Sequence, residues 1–452
     1  MRNIFLMFCI GLLSITSVRA QDSIINLQQK LPTNDMWWEL FGDDVLSQLI
    51  DKAVANNTNV LSAVNNIDIA KSKVRLQQSG FYPSISLSGN YTMEKTSAGI
   101  ENIDRRDNIG EALVNMNWEL DVFGNIRKSV QAQKQYYLAS QEDYRAVMVS
   151  LVAQLSSAYI NLRTAQKQLE VAQRNLSSQQ EILKITEIRY NTGLASKLSV
   201  AQAKSLYLQT KATIPAMEAA IYQQINIISV LTGEYSESLR KELLQIRPLP
   251  VNKNIAMTGI PAELVRQRPD IRAAERNMDA LSAAVGASRA DWWPKFYVNG
   301  SFGYGSKNFE HFTDNDNMTW QIVPAIQWTI FSGRQLVQTT NLAKLQLNEG
   351  IVSFNSTMLT ALQEVDDALI SYNRSLQQLS ADKEAFVQAA QTLQLAVELY
   401  QKGLSDYQSV LDSQRSALSY ENALVNAQSS TLLYTIQLYK ALGGGWEGQN
   451  NN

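Results

Sequence analysis

The side chains best equipped for chemistry in this chain are few and scattered. The one histidine, His311, lies in a polar stretch with Asp314 and Asp316, where an imidazole is simply solvated. The one cysteine, Cys9, lies inside an apolar run near the N-terminus. Zinc sites and His-activated nucleophiles need His and Cys in clusters, so those chemistries lack their usual parts. No paired carboxylates stand out for acid–base work, and no stretch resembles a phosphate-binding loop. One short charged motif is Val410-Leu411-Asp412-Ser413-Gln414-Arg415. It sets Asp412 and Arg415 three apart on a helix, where such a pair contributes about 0.2–0.5 kcal/mol. The expectation is a protein that is not an enzyme and uses no metal and no cofactor.

The elements that carry these residues begin with an export signal. Arg2, the apolar run Ile4 to Ile15 and Val18-Arg19-Ala20 read as a signal peptide over residues 1–20. The run falls short of the roughly 20 apolar residues that a spanning helix needs. Phe8 is too large for the position before a lipidated cysteine, so no lipid is expected on Cys9, and the mature chain would hold no thiol. Cleavage removes Arg2 and Arg19 and no acid. Lys+Arg then falls from 40 to 38 against 42 Asp+Glu, a net charge of about −4. No basic patch dominates, which argues against nucleic acid as a partner.

The mature chain repeats itself. Tyr190, Gly193 and Leu231 answer Tyr400, Gly403 and Leu442, each about 210 positions on, and a long internal repeat governs everything else. The spacing divides the chain into a first unit over 21–232, a linker with a short helix over 233–260, a second unit over 261–443 and a polar tail over 444–452. In the first unit, Trp37-Trp38 through Asp43 anchor one helix from about Asp44 to Gln78. Ile85, Leu87, Tyr91 and Met93 then alternate with Ser84, Ser86, Ser88, Asn90 and Thr92, and Val114, Met116, Trp118 and Leu120 alternate with Asn115, Asn117 and Glu119. Period two means strands with one apolar and one polar face, separated by a loop at 96–108. A helix from Gly124 to about Tyr190 carries a four-three seam of Leu151, Leu155, Ala158, Leu162, Ala165, Leu169, Ala172 and Leu176. The chain reverses at Gly193, and a partner helix, with a kink expected at Pro215, returns to about Leu231.

The second unit predicts the same order: a helix over Ala262 to Ala290, strands around Val298 and Ile326 joined by a loop at 305–317, and a long helix after Gly333. Its seam is expected at Leu362, Val365, Leu369, Tyr372, Leu376 and Leu379, continuing through Phe386, Ala390, Leu393 and Val397 to Tyr400. Four strands of membrane-spanning length cannot close a barrel by themselves, and an open edge in lipid leaves hydrogen bonds unmade. The chain must therefore associate or bury its sheet in protein. Trp118, Trp320, Trp328, Tyr91 and Tyr304 are candidates for an aromatic girdle. The competing expectation is a soluble four-stranded sheet packed on helices.

Over nearly all of its mature length the sequence resembles the TolC-type outer-membrane efflux channels, in the branch serving resistance-nodulation-division pumps. The marks are Trp37-Trp38 with Phe41-Gly42-Asp43, Ile260-Pro261-Ala262-Glu263-Leu264 through Arg268-Pro269-Asp270-Ile271-Arg272-Ala273-Ala274-Glu275, the Val410–Arg415 motif, and Leu438-Tyr439-Lys440-Ala441-Leu442-Gly443-Gly444-Gly445-Trp446. The resemblance implies an α+β membrane protein with an internal twofold repeat. Three chains would form a twelve-stranded outer-membrane β-barrel and a periplasmic α-barrel of long helical hairpins. It implies a homotrimer embedded in outer-membrane lipid, with a periplasmic adaptor and an inner-membrane resistance-nodulation-division transporter as partners. The expected function is a passive exit duct of a tripartite efflux pump. The exit duct of a type I protein secretion system is the alternative on the same fold, and a structural periplasmic coiled-coil protein is the alternative from another class.

The resemblance also assigns sites. Asp412 matches an acidic gate position and Arg415 a basic one. Ser409 and Ser199 match positions that are acidic in some members, so any constriction rests more on Asp412 here. Tyr400 and Arg415 are the expected partners for closing hydrogen bonds and ion pairs. Gly193-Leu194 and Gly403-Leu404 match the tips where family members meet the adaptor; a glycine that merely reverses the chain in a left-handed conformation explains the same residues.

Overall fold

A computed structural model describes residues 36–96, 105–250, 265–307 and 309–444. The signal peptide, Ile260–Leu264, Gly445-Trp446 and the tail lie outside them, as does most of the loop expected at 96–108. That loop is shorter than the sequence suggested, because the second strand already begins at Arg105.

Trp37–Phe41 form a short 3-10 turn whose rings pack into the core, Trp37 lying flat on Tyr439 at 5.3 Å. Asp43 then caps α1 (Asp44–Asn56) by accepting from the Val45 and Leu46 amides, and its other oxygen takes the Tyr159 hydroxyl at 2.5 Å. The single helix expected over 44–78 is in fact two, α1 and α2 (Thr58–Gln78). Asn57 causes the break. Its side-chain oxygen accepts from the amides of Asn59 and Val60, and its Nδ2 donates to the Leu231 carbonyl at 2.8 Å. A buried Asn that satisfies both ends this way favours a cap over a helix interior.

Four antiparallel strands follow in the spatial order β1-β2-β3-β4: β1 (Ser84–Thr96), β2 (Arg105–Leu120), β3 (Lys295–Ser306) and β4 (Met318–Gln327). The register sorts the two faces. Ile85, Met116, Gly300 and Ile322 share a row, as do Leu87, Val114, Phe302 and Trp320. The alternate rows hold Ser84, Asn117, Asn299 and Val323, then Ser86, Asn115, Ser301 and Gln321, and are polar but for Val323. A one-residue slip would exchange the faces, so the pattern fixes the pairing. Trp118, Tyr91, Tyr304 and Trp320 all lie on the apolar face, and among the described residues no strand pairs with the outer edges of β1 and β4.

Between β2 and β3 runs the first helical hairpin, α3 (Asn125–Asn191) and α4 (Lys197–Thr232), followed by the short α5 (Ser236–Leu243) and by α6 (Pro269–Ala290). After β4 comes the second hairpin, α7 (Gln335–Gln401) and α8 (Tyr407–Ala441). The 67 residues of α3 and of α7 each extend about 100 Å. The seam of α3 is buried as expected at Leu151, Leu155, Ala158, Leu162, Leu169 and Ala172. The helix α4 continues through Pro215. Two expectations need correction. The helix expected over Ala262 to Ala290 is interrupted: Val265 is helical, the chain turns at 266–268, and α6 starts at Pro269, where a proline has no amide to leave unpaired; Ala262–Leu264 lie outside the described residues. The seam of α7 is shifted: Ala361, Ala368 and Ser375 are buried with Val365 and Tyr372, while Leu362 is 42% exposed and Leu369 and Leu376 only half-buried. Small residues let the neighbouring helices approach, and the leucines flank the contact.

One node holds the middle of the molecule. Arg268 grips Asp270 with both edge nitrogens at 3.0 and 2.7 Å, donates to Glu364 at 2.7 Å and reaches the Ala441 carbonyl at 2.8 Å. It thereby ties the start of α6, the flank of α7 and the end of α8. Burial opposes its charge, but the two carboxylates outweigh that and hold the guanidinium pKa above its ordinary value. This is the structural use of the Arg268-Pro269-Asp270 motif.

Candidate functional site

The two helical hairpins end in turns of the same construction. At the first, Gly193 has φ 75°, its amide donates to the Tyr190 carbonyl, and the Leu194 amide donates back to Arg189 at 2.7 Å. At the second, Gly403 has φ 78°, its amide donates to Tyr400, and the Leu404 amide donates to Leu399 at 2.9 Å. Both are paired-bond helix terminations that need a left-handed residue, which glycine supplies without a Cβ clash. Leu194 and Leu404 stand out at 67% and 73% exposure. The return helices are capped by Ser196 for α4 and Asp406 for α8, each accepting the amide three residues on at 3.1 Å. Ser199 is half-buried and Ser409 exposed; each bonds its own cap through both amide and hydroxyl. Those two bonds hold the Asp406 carboxyl below the usual aspartate range.

Asp412 is exposed one turn further along α8. Both of its oxygens accept from Gln408 Nε2, at 3.1 and 3.2 Å, and Gln202 of α4 reaches Gln408 at 3.4 Å. No hydrogen bond joins Asp412 to Arg415 or to Tyr400 among the described residues. Arg415 is exposed. Burial raises the Tyr407 phenol to about 12, helped by Tyr400, while the Arg415 charge works against the rise. Tyr400 is buried: its hydroxyl donates to Thr186 at 3.3 Å and its ring meets Tyr407 edge-on at 5.8 Å. Ile182, Ala203, Leu206, Val410 and Leu411 complete a small apolar cluster, separate from the main core, that joins all four long helices near the tips.

Three residues of this region escaped the reading by type and spacing. Gln202 and Gln408 surround Asp412, and Gln202 stands 210 positions before it, so the repeat itself pointed there. Arg189 gave no local signal. It packs its guanidinium over the Tyr400 ring at 4.7 Å and donates to the Tyr400 carbonyl at 2.7 Å.

At the other end, the polar face of the sheet joins Asn117 to Asn299 at 2.6 Å and Asn115 to Ser88 at 2.8 Å. The apolar face is bare: Ile85, Leu87, Trp320, Ile322 and Ile326 are each 66–78% exposed in the single chain. No described helix is long and apolar enough to cross a membrane. A two-faced sheet with free edges, mounted on helical hairpins about 100 Å long, defines a channel-forming wall protein.

The comparisons with known proteins agree. The pattern of the outer membrane efflux protein family matches twice, over residues 49–234 and 260–444, and the chain belongs to that family. It is 32% identical over 425 residues to the solvent efflux pump outer membrane protein SrpC of Pseudomonas putida, covering 91% of this chain and 88% of that one. It is 28% identical over 433 residues to the cation efflux system protein CusC of Escherichia coli, covering 95% and 92%. Among solved structures, the outer-membrane channel OprN superposes with a TM-score of 0.87 at 28% identity, covering 91% of this chain and 93% of that one. VceC from Vibrio cholerae gives 0.82 at 26%, covering 91% and 99%. The protein is an outer-membrane component of an efflux pump, its sheet in the outer membrane and its helices in the periplasm.

Proposed function

We propose that three copies of this chain form a passive exit duct, conducting cargo from an adaptor and an inner-membrane resistance-nodulation-division pump to the exterior. The observation that carries the reading is the two-faced sheet with free edges. Three such sheets joined edge to edge satisfy every edge and put the Ser/Asn rows inside. The relatives are named for solvents, antibiotics and cations, so cargo choice is assigned to the pump rather than to the duct. Native mass measurement in detergent should give a trimer, and purified protein should conduct in planar bilayers; a conducting monomer would end the idea. Single cysteines at Ser86, Asn117, Glu119 or Asn299 should react with a water-soluble thiol reagent, and those at Ile85, Leu87, Val298 or Ile326 should not.

At the periplasmic end, Gly193-Leu194 and Gly403-Leu404 present the adaptor contact, and three copies of Asp412 form the narrowest acidic ring. Across a wet lumen at roughly 6 Å, two such charges repel by only about 0.7 kcal/mol. The carboxylates then filter cations, while contacts between helix ends hold the ring closed. Ser409 and Ser199 stay neutral beside it, and Arg415 is the exposed cation available to a neighbouring chain.

A further inference from the structure

We propose that Arg189 is a positioning residue for the periplasmic aperture: it pins the second helical hairpin onto the first and so sets the resting width of the duct. The inference rests on the exit-duct reading above. It starts from an asymmetry. The position 210 residues after Arg189 is Leu399, which is apolar and 44% exposed. The tip of the first hairpin therefore carries a forked cation, and the tip of the second carries none at that place.

One arm of the fork, Nη1, holds the second hairpin, while the buried Nε has no hydrogen-bond partner among the described residues. Nη1 donates to the Tyr400 carbonyl at 2.7 Å and lies 3.4 Å from that of Gln401, both among the last carbonyls of α7; the Tyr400 carbonyl also accepts from the Gly403 amide of the turn. A cation there also meets the negative end of the helix dipole. The planar group covers the Tyr400 ring, and Nη2 turns back toward the Leu194 carbonyl in its own turn at 3.5 Å. The Arg189 carbonyl meanwhile accepts from Leu194 and Ala195. One residue thus fixes the first turn, the end of α7 and the ring that seats Tyr407 and Val410 at the start of α8. Asp412 follows two residues after Val410. Any outward swing of the second hairpin must carry this contact along or break it.

Lysine cannot substitute, because a point ammonium neither forks nor stacks as a guanidinium does. For a pore limited at one constriction, conductance follows open area, so widening the radius by roughly 40% doubles it. Arg189→Ala should raise single-channel conductance about twofold or more, with trimer assembly and melting temperature unchanged, and Arg189→Lys should open the duct nearly as far. A normal conductance in Arg189→Ala, or full restoration by lysine, would overturn the proposal. The same pair measured in an Asp412→Ala background separates the two readings. Opening by Arg189→Ala that persists there, while Asp412→Ala alone changes nothing, removes the acidic gate and leaves the pin standing.

Discussion

The two hairpin tips share a backbone and differ in chemistry. Gly193 and Gly403 turn the chain with the same bonds and nearly the same φ, and Ser196 and Asp406 cap the return helices in the same way. At offsets of 210, however, Arg189 faces Leu399, Ser196 faces Asp406 and Gln202 faces Asp412. The first tip holds the anchoring cation, and the second holds the acids. Geometry has been kept where it makes the turn, and side chains have diverged where they meet the lumen or the other hairpin. A ring built from three chains would therefore alternate return helices that start on Ser196 with return helices that carry Asp406 and Asp412.

The comparison can be broken hardest at the turns. Valine at Gly193 and Gly403 together should abolish efflux while trimers still form. A Cβ at Gly193 meets nothing within 4 Å, and at Gly403 only the Arg189 guanidinium at 3.8 Å. The cost to folding is then the left-handed backbone alone, about 1–2 kcal/mol at each site. Drug-susceptibility assays with native gels check this; full efflux in the double variant would move the adaptor contact elsewhere. Of the singles, Gly403→Val should be the more harmful, because it also crowds the pin.

Exchanging the acids tests the chemical half of the comparison. Asp412→Ala should lower cation preference and weaken divalent-ion block in planar bilayers. Adding Gln202→Asp to that variant should restore part of the preference, because Gln202 borders the same Gln408. If Asp412→Ala keeps the wild-type ion preference, Asp412 is a helix-surface residue bound to Gln408 and nothing more.

The smallest expected effect lies in the caps. Ser196→Ala or Asp406→Ala should each loosen the local helix, read as faster amide exchange over the first turn. Only the second cap depends on pH. The Asp406 carboxyl is lowered in the folded state from 3.8, so its stabilisation is complete above that value and disappears as pH falls through the lower folded pKa. Protection of the Ser409 amide should fall in acid, and that of the Ser199 amide should not.

Much of this molecule was legible because its signals are local. Period two gave the strands and their faces, four-three spacing gave the helices, and glycines placed both turns. Long-range partners were less legible. Asn57 reads as one more polar residue in a helix until Leu231 supplies a carbonyl for its amide. The expected seam of α7 holds at Val365 and Tyr372, but close packing favours Ala361, Ala368 and Ser375 over its leucines. The contacts of Tyr400, its hydroxyl to Thr186 and its ring under Arg189, come from residues more than 200 positions away and leave no local sign. Nothing within a few residues of Arg189 announces a partner 211 positions away.

The free edges of β1 and β4 carry a last consequence, for biogenesis. A sheet whose two outer strands each have one unpaired edge cannot enter a bilayer alone, since each edge would carry bare peptide groups into hydrocarbon. On the three-chain reading, insertion and assembly are then a single event whose rate climbs steeply with chain concentration. It follows that one chain with a ruined edge spoils two sound ones. Co-expression of a variant with prolines along β4 should reduce working channels far more than its share of the pool.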